Sequence, residues 1–240
     1  MQRLIFDSDD VGLLMRERSH GGERELALAV LSCEMLDFTD FARKLTPYDL
    51  MHVLNRFYAQ MGDPVLGNGG LINRYTNQGF NALFGTKGGD AREKCINAVR
   101  AALRMRARMQ DFNRYMRDHF SAEFRLAIGL HYGRLVVGHV CPHSLTQIAT
   151  IGPATDVGEK VGGLNAKNGT DILSSEEVLN IIEDQVSAAR VFHDEDLGGR
   201  KATVYEVADF RKRDTVSIVQ ESFEKVARTD SPTTYRTRRA

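Results

Sequence analysis

Three short stretches carry residues whose types and spacing could do chemistry. Glu34 closes the apolar run Glu25–Leu36, and Asp37 and the pair Phe38-Thr39 follow at once. In the stretch NRYTNQGFNALFG, residues 73–85, Arg74 and Gln78 stand four apart, and Gln78 sits in an Asn-Gln-Gly turn that leads into an apolar strand. Asp156 and Lys160 have i,i+4 spacing, which sets two side chains beside each other on a helix. Glu34 can ligate a hard cation, whereas the Gln78 amide offers an oxygen without charge. Arg74 and Lys160 could attract an anion. Each group also has a plainer reading. Glu34 can be a solvated strand end or an ion-pair partner of Lys160 or Arg74. Asp37 can cap a short helix, Gln78 can be only a turn residue, and Asp156 can pair with Lys160.

The elements that must position these groups follow from hydrophobic period and punctuation. Glu25–Leu36 is long and apolar enough for a strand buried on both faces. A turn and a short helix follow at DFTDFARKL. Thr46-Pro47 starts a helix, with a capping side chain before a first-turn proline. Leu50, Val53, Leu54, Phe57, Tyr58 and Met61 give that helix one apolar face, and Gly67, Gly69 and Gly70 end it. A hairpin is expected near 71–76 and 80–84. Asp90 caps a helix running to about 117, whose methionine stripe is core filler. FRLAIGLHYG and RLVVGHV read as two strands around a tight turn at Tyr132-Gly133. A strand at LTQIATIG, a helix from Pro153 to about Leu164, a strand at TDILSS, a helix at SEEVLNII and a terminal hairpin complete the order. Helices interleaved with antiparallel hairpins predict an α+β, ferredoxin-like βαββαβ core with additional C-terminal strands and helix. Gly158, Gly162 and Gly163 each cost roughly 1 kcal/mol in a helix interior relative to Ala, which predicts a short or loose helix there.

Composition excludes several classes. The 240 residues hold 32 Lys and Arg against 32 Asp and Glu, so no global field recruits nucleic acid or anionic lipid. The sequence shows neither a membrane span nor a signal peptide. Cys33, Cys95 and Cys141 are far apart, and an odd count with no CxxC spacing argues against a disulfide framework and a zinc site; Cys33 and Cys95 read as packed thiols in a reducing cytoplasm. His131 reads as a core histidine. Residues 1–24 read as a leader, 25–208 as the domain, and 209–240 as a basic, flexible tail with one short amphipathic helix.

The order of motifs resembles a known family. LAVLSCEMLDFTDFARKLTPYDLMHVLNRFYAQM is similar to the first strand and helices of class III nucleotidyl cyclases, and GGLINRYTNQGFNALFG to their metal-binding hairpin. FRLAIGLHYGRLVVGHV, TIGPATDVGEKVGGLNAKNGTDILSS and DLGGRKATVYEV continue the likeness in unbroken order over about 25–208. The resemblance implies a homodimer, or a heterodimer with another cyclase-type domain, with active sites between protomers. It implies Mg²⁺ or Mn²⁺ on two aspartates, and a nucleoside triphosphate as substrate.

Role by role, the resemblance places the two metal carboxylates at Glu34 and Gln78. It places the base-reading lysine at Arg74 and its polar partner at Ala149, with Phe38 and Thr39 also on the nucleotide side. The ribose-positioning asparagine falls on Asp156, and the arginine that stabilises the transferring phosphate falls on Lys160. All six of the mechanistic positions depart from the family's usual residue, while Gly129, His131, Gly133, Gly138 and Ile151-Gly152 keep its frame. The expectation is a cyclase-like domain with impaired turnover, acting by dimerisation or ligand sensing. The alternatives are a divergent active cyclase, in which Glu34 with Asp37 or Asp156 holds an ion, and a scaffold whose leader and tail do the work.

Overall fold

A computed structural model describes residues 24–140 and 147–211. The expected leader before residue 24, Cys141, the tail helix and the basic end beyond residue 211 lie outside the described residues. The chain divides into two units, Met1–Asp209 and Phe210–Ala240, and the described helices and the candidate site belong to the first.

Strand β1 (Arg24–Met35) is the axis of the fold. Its residues from Leu28 to Cys33 are all buried, so both faces need cover. A short helix α1 (Phe38–Ala42) follows, then α2 (Pro47–Leu66), whose first turn is capped by the Thr46 side chain. The hairpin is β2 (Gly70–Tyr75) and β3 (Gly79–Phe84). Helix α3 (Ala91–Phe120) is capped by Asp90 and extends three residues beyond the expected end. It packs Phe112 edge-on to Phe57 of α2 at 5.5 Å between centroids. Then come β4 (Leu126–Val140), β5 (Gln147–Ile151), α4 (Pro153–Asn168), β6 (Ile172–Ser175), α5 (Glu176–Ile182), β7 (Val186–Asp196) and β8 (Lys201–Phe210). Strand β8 therefore continues past residue 208, the expected end of the domain.

The sheet order is β2-β3-β1-β4-β6-β8-β7, with β5 beside the second part of β4. β1 is antiparallel to β3 and β4, and β4 is parallel to β6. The β1–α–β2–β3–α3–β4 core is the α+β arrangement expected from the sequence.

Two expectations are corrected. There is no turn at Tyr132-Gly133: β4 is one 15-residue strand, and Tyr132 and Gly133 pair in register with Ala29 and Leu28 of β1. A continuous partner strand overrides the local turn signal. Helix α4 is not short; it spans 16 residues. Gly158 and Gly162 lie on its sheet-facing side, and a Cβ on Gly129 of β4 would overlap the Gly158 carbonyl and the Gly162 amide. The glycines allow helix and strand backbones to touch, and that close packing offsets their poor helix propensity. Gly163 faces open space and has no such role.

Candidate active site

Glu34, Gln78 and Thr39 meet at one end of β1. Glu34 pairs with Gly79 of β3, and the Met35 amide donates to the Gln78 carbonyl at 2.9 Å. Gly79 makes this approach possible, because a Cβ there would overlap the Cys33 carbonyl. The Gln78 side chain then bridges two neighbours. Its Nε2 donates to Glu34 Oε2 at 3.1 Å, and its Oε1 accepts from Thr39 Oγ1 at 3.2 Å. Gln78 is thus more than a turn residue, and Glu34 is engaged by an amide, with neither Lys160 nor Arg74 as its partner. The Cys33 thiol beneath is held protonated, chiefly by burial and then by the Glu34 charge. Burial likewise pushes Cys95 up to about 12, as packed thiols require.

Helix α1 is fixed by aromatic packing. Phe38 is buried and lies 5.6 Å from Phe124, and Phe41 lies 5.0 Å from the same ring, centroid to centroid. Phe38 is therefore in the core, and Thr39 is the exposed member of the pair. Asp37 occupies the N-cap position with φ 61° and makes no side-chain cap bond. A non-glycine residue in this left-handed region costs about 1–3 kcal/mol, and here it lies two residues from Thr39.

A second cluster surrounds Arg74. The hairpin register slips at Asn73, so that Arg74 lies opposite Asn81. The bulge sends the Asn73 amide to Thr150 Oγ1 at 2.8 Å, beside Ala149 on β5. Arg74 forms an ion pair with Glu159 of α4, and the buried Asn81 donates to the same Glu159 Oε1 at 2.6 Å. Sequence reasoning missed Glu159 and Asn81. Asn81 carried the available signal: a polar side chain inside the apolar strand GFNALF must find a buried partner. Asp156 is exposed in the first turn of α4. The Asp156–Lys160 ion pair, one of the two readings of that spacing, does not form among the described residues; the Lys160 ammonium lies against Gly198 in the β7–β8 turn. His131 is buried and within 2.9 Å of Ser175 Oγ, and burial lowers its pKa, as befits a core histidine.

The residues do not fit the pair of Mg²⁺ or Mn²⁺ ions that the resemblance implies. Glu34 is the single carboxylate at the two positions, and an amide nitrogen, a donor, is turned toward it. Glu34, Asp37 and Asp156 do not together form one ligand set, since the described residues hold no group of three His, Cys, Asp or Glu able to bind a metal. What the arrangement supplies is a set of hydrogen-bonding and charged groups in two clusters, one at the hairpin turn and one between the hairpin and α4.

Comparison with known proteins agrees with this architecture. The structure is similar to that of the guanylyl cyclase Cya2, with TM-score 0.72 and 19% identity over 80% of this chain and 96% of that one. It is also similar to the adenylyl cyclase CyaB from P. aeruginosa, with TM-score 0.71 and 21% identity over 79% and 97% of the two chains. In sequence it is 26% identical to adenylate cyclase 1 of Rhizobium meliloti (strain 1021) over 173 residues, 71% of this chain and 26% of that protein. It is 30% identical to the adenylate cyclase of Anabaena cylindrica over 156 residues, 63% of this chain and 30% of that protein. The chain thus spans less than a third of the length of either relative. No helix among the described residues is long and apolar enough to cross a membrane. The model of the adenylate and guanylate cyclase catalytic domain matches residues 23–205, and the chain belongs to that family.

Proposed function

We propose that this chain is a class III cyclase-type domain of cyclic-nucleotide signalling with impaired turnover. It acts by pairing with a second cyclase-type domain, its own copy or another, and by holding a nucleoside triphosphate as a sensed ligand. A cytoplasmic setting accords with its packed thiols. The observation that carries this reading is the Gln78 amide bonded to Glu34. Cyclisation needs the ribose 3′-hydroxyl deprotonated and the triphosphate charge neutralised, and two carboxylate-held ions ordinarily supply both. One carboxylate already bonded to an amide is a poor substitute. Arg74, Thr39 and Lys160 retain groups able to bind a ligand, and Ala149 offers no side-chain hydrogen bond to a base.

The second reading is a divergent active cyclase that converts a nucleoside triphosphate into a 3′,5′-cyclic nucleotide and pyrophosphate. The names of the two bacterial relatives favour it. One experiment separates the two. Concentrated protein is incubated with each of the four ribonucleoside triphosphates and Mn²⁺, cyclic products are read by mass spectrometry, and Lys160→Ala is run in parallel. The impaired domain gives no cyclic product above the blank. A product that disappears in the variant overturns that reading in favour of the active enzyme.

A further inference from the structure

A cavity of about 420 Å³ lies between the C-terminal half of α3 and the start of β4, and none of the candidate-site residues lines it. Arg106, Arg114 and Arg117 line it from one face of the helix, and Arg125, just before β4, brings a fourth guanidinium to the same space. Their contacts hold these arginines without using them up. Arg106 donates to the Val207 and Ala208 carbonyls of β8 at 3.3 and 2.6 Å. Arg114 meets Asp111, Arg117 meets Glu123 and Arg125 meets Asp171, each at 3.1 Å. A guanidinium has five N–H donors, and these contacts take one or two. The side chains of Arg114, Arg117 and Arg125 keep half or more of their exposure, so the other donors are within reach of a ligand. Four guanidinium groups and two carboxylates, Glu123 and Asp171, give the lining a net charge of +2. The apolar part of the lining is preset. Met109, Phe124 and Leu126 are buried, and the buried Asn113 clamps Phe124 by donating to its carbonyl at 2.8 Å and accepting from its amide at 3.0 Å. Solvated ion pairs on a basic helix account for the carboxylates. They do not account for four arginines and a fixed apolar surface converging on one cavity.

We propose that this cavity is a second binding site, for a soluble organic phosphate: a phosphate monoester on a compact apolar or aromatic body. A phosphate monoester is close to doubly charged at neutral pH, which matches the lining. Guanidinium groups meet phosphate oxygens through paired N–H donors, and one phosphate has oxygens enough for two arginines at once. The apolar body covers Met109, Phe124 and Leu126, which removes it from water. The volume falls within the range of small-molecule sites, roughly 300–1,000 Å³. The proposal does not depend on whether the candidate active site holds a nucleotide.

The test is calorimetric titration of the full chain in EDTA with naphthyl phosphate, inorganic phosphate and naphthoate. Naphthyl phosphate should bind at least about tenfold tighter than inorganic phosphate, which lacks the apolar body, and than naphthoate, which carries a single charge. The double variant Arg117→Gln, Arg125→Gln, checked for folding by circular dichroism, should weaken naphthyl phosphate at least about tenfold. Arg114→Gln, at a side chain 69% exposed, should weaken it at least about threefold. Arg43→Gln removes an exposed arginine from α1's C-cap, away from the cavity, and should change it by less than about twofold. Absence of naphthyl phosphate binding to the native protein overturns the proposal. Equal affinity for naphthoate overturns the phosphate assignment, and equal weakening by Arg43→Gln overturns the site in favour of a diffuse charge effect. Loss of binding in Lys160→Ala with retention in the double variant puts the anion in the candidate active site and overturns the proposal as well.

Discussion

Gln78→Asp is the most informative single change, because the structure gives it two opposing effects. In the absence of metal it removes the bond from Gln78 Nε2 to Glu34 Oε2, now 3.1 Å long, and sets a second carboxylate opposite the first. Aspartate is one methylene shorter, so the two charges face each other at about 4 Å. Coulomb repulsion at that distance is about 1 kcal/mol in bulk water and about 4 kcal/mol at a protein-surface dielectric. Both residues are partly exposed, so a net loss of about 2 kcal/mol is expected. For a domain of this size that lowers the melting temperature by roughly 4–8 °C in EDTA. In the presence of Mn²⁺ the sign reverses. Two carboxylates form a hard-cation site, and ion at a hundredfold excess over its Kd restores about 2.7 kcal/mol. Thermal unfolding with and without Mn²⁺ gives both numbers. The native protein should show no Mn²⁺ shift, and the variant a low melting temperature rescued by the ion. Equal stabilisation of both proteins by Mn²⁺ would refute the reasoning, since Glu34 would then hold an ion without a second carboxylate.

Two further predictions concern the frame. Gly129→Ala should lose about 3 kcal/mol or more by urea unfolding, because its Cβ meets backbone that cannot rotate away, while Gly163→Ala, in open space on the facing helix α4, should gain up to about 1 kcal/mol. Loss of less than about 0.5 kcal/mol at Gly129 would show that helix and strand do not touch. His131 should make the fold acid-sensitive. Burial is the main cause of its lowered pKa, with Arg200 acting the same way and Glu177 opposing, so the folded state favours the neutral ring. The unfolded chain takes up the proton first, near the ordinary histidine value of 6.5. Stability contributed by His131 is therefore full above that value and falls as pH drops through it toward the folded value. Unfolding between about pH 7.5 and about pH 5.5 measures this above the range of the Glu177 carboxyl, and His131→Asn should flatten the slope. An unchanged slope would remove the histidine from the account.

The fold was legible in the sequence wherever the signal was local. Thr46-Pro47 and Asp90 mark helix starts by capping chemistry, and both side chains accept the expected backbone amide. The buried run from Leu28 to Cys33 announces a central strand by length and apolarity alone. What failed was non-local. Gly133 resembles a turn residue until β1 is placed beside it, and Gly158 and Gly162 resemble helix defects until Gly129 faces them. The same division runs through the candidate site. Glu34 and Gln78 are 44 residues apart, and their contact follows from the hairpin's register with β1, which the family resemblance supplied and hydrophobic periodicity did not.

The rotational setting of α4 explains why Glu159 meets the hairpin while Lys160 lies against the β7–β8 turn. Successive residues on an α-helix diverge by about 100°. Contact of Gly158 and Gly162 with Gly129 fixes one face of α4 on the sheet, and Asn165 locks the next turn by donating to the Ile128 carbonyl at 3.0 Å. With that face fixed, Glu159 has to project toward the hairpin, where Arg74 and Asn81 meet it, and Lys160 toward the β7–β8 turn at Gly198. No rotamer of Asp156 or Lys160 alters this setting, because backbone contacts impose it. The i,i+4 spacing in isolation allows Asp156 to pair with Lys160. Reading it together with the glycines that fix the helix puts the carboxylate of Glu159 beside Arg74 and Asn81.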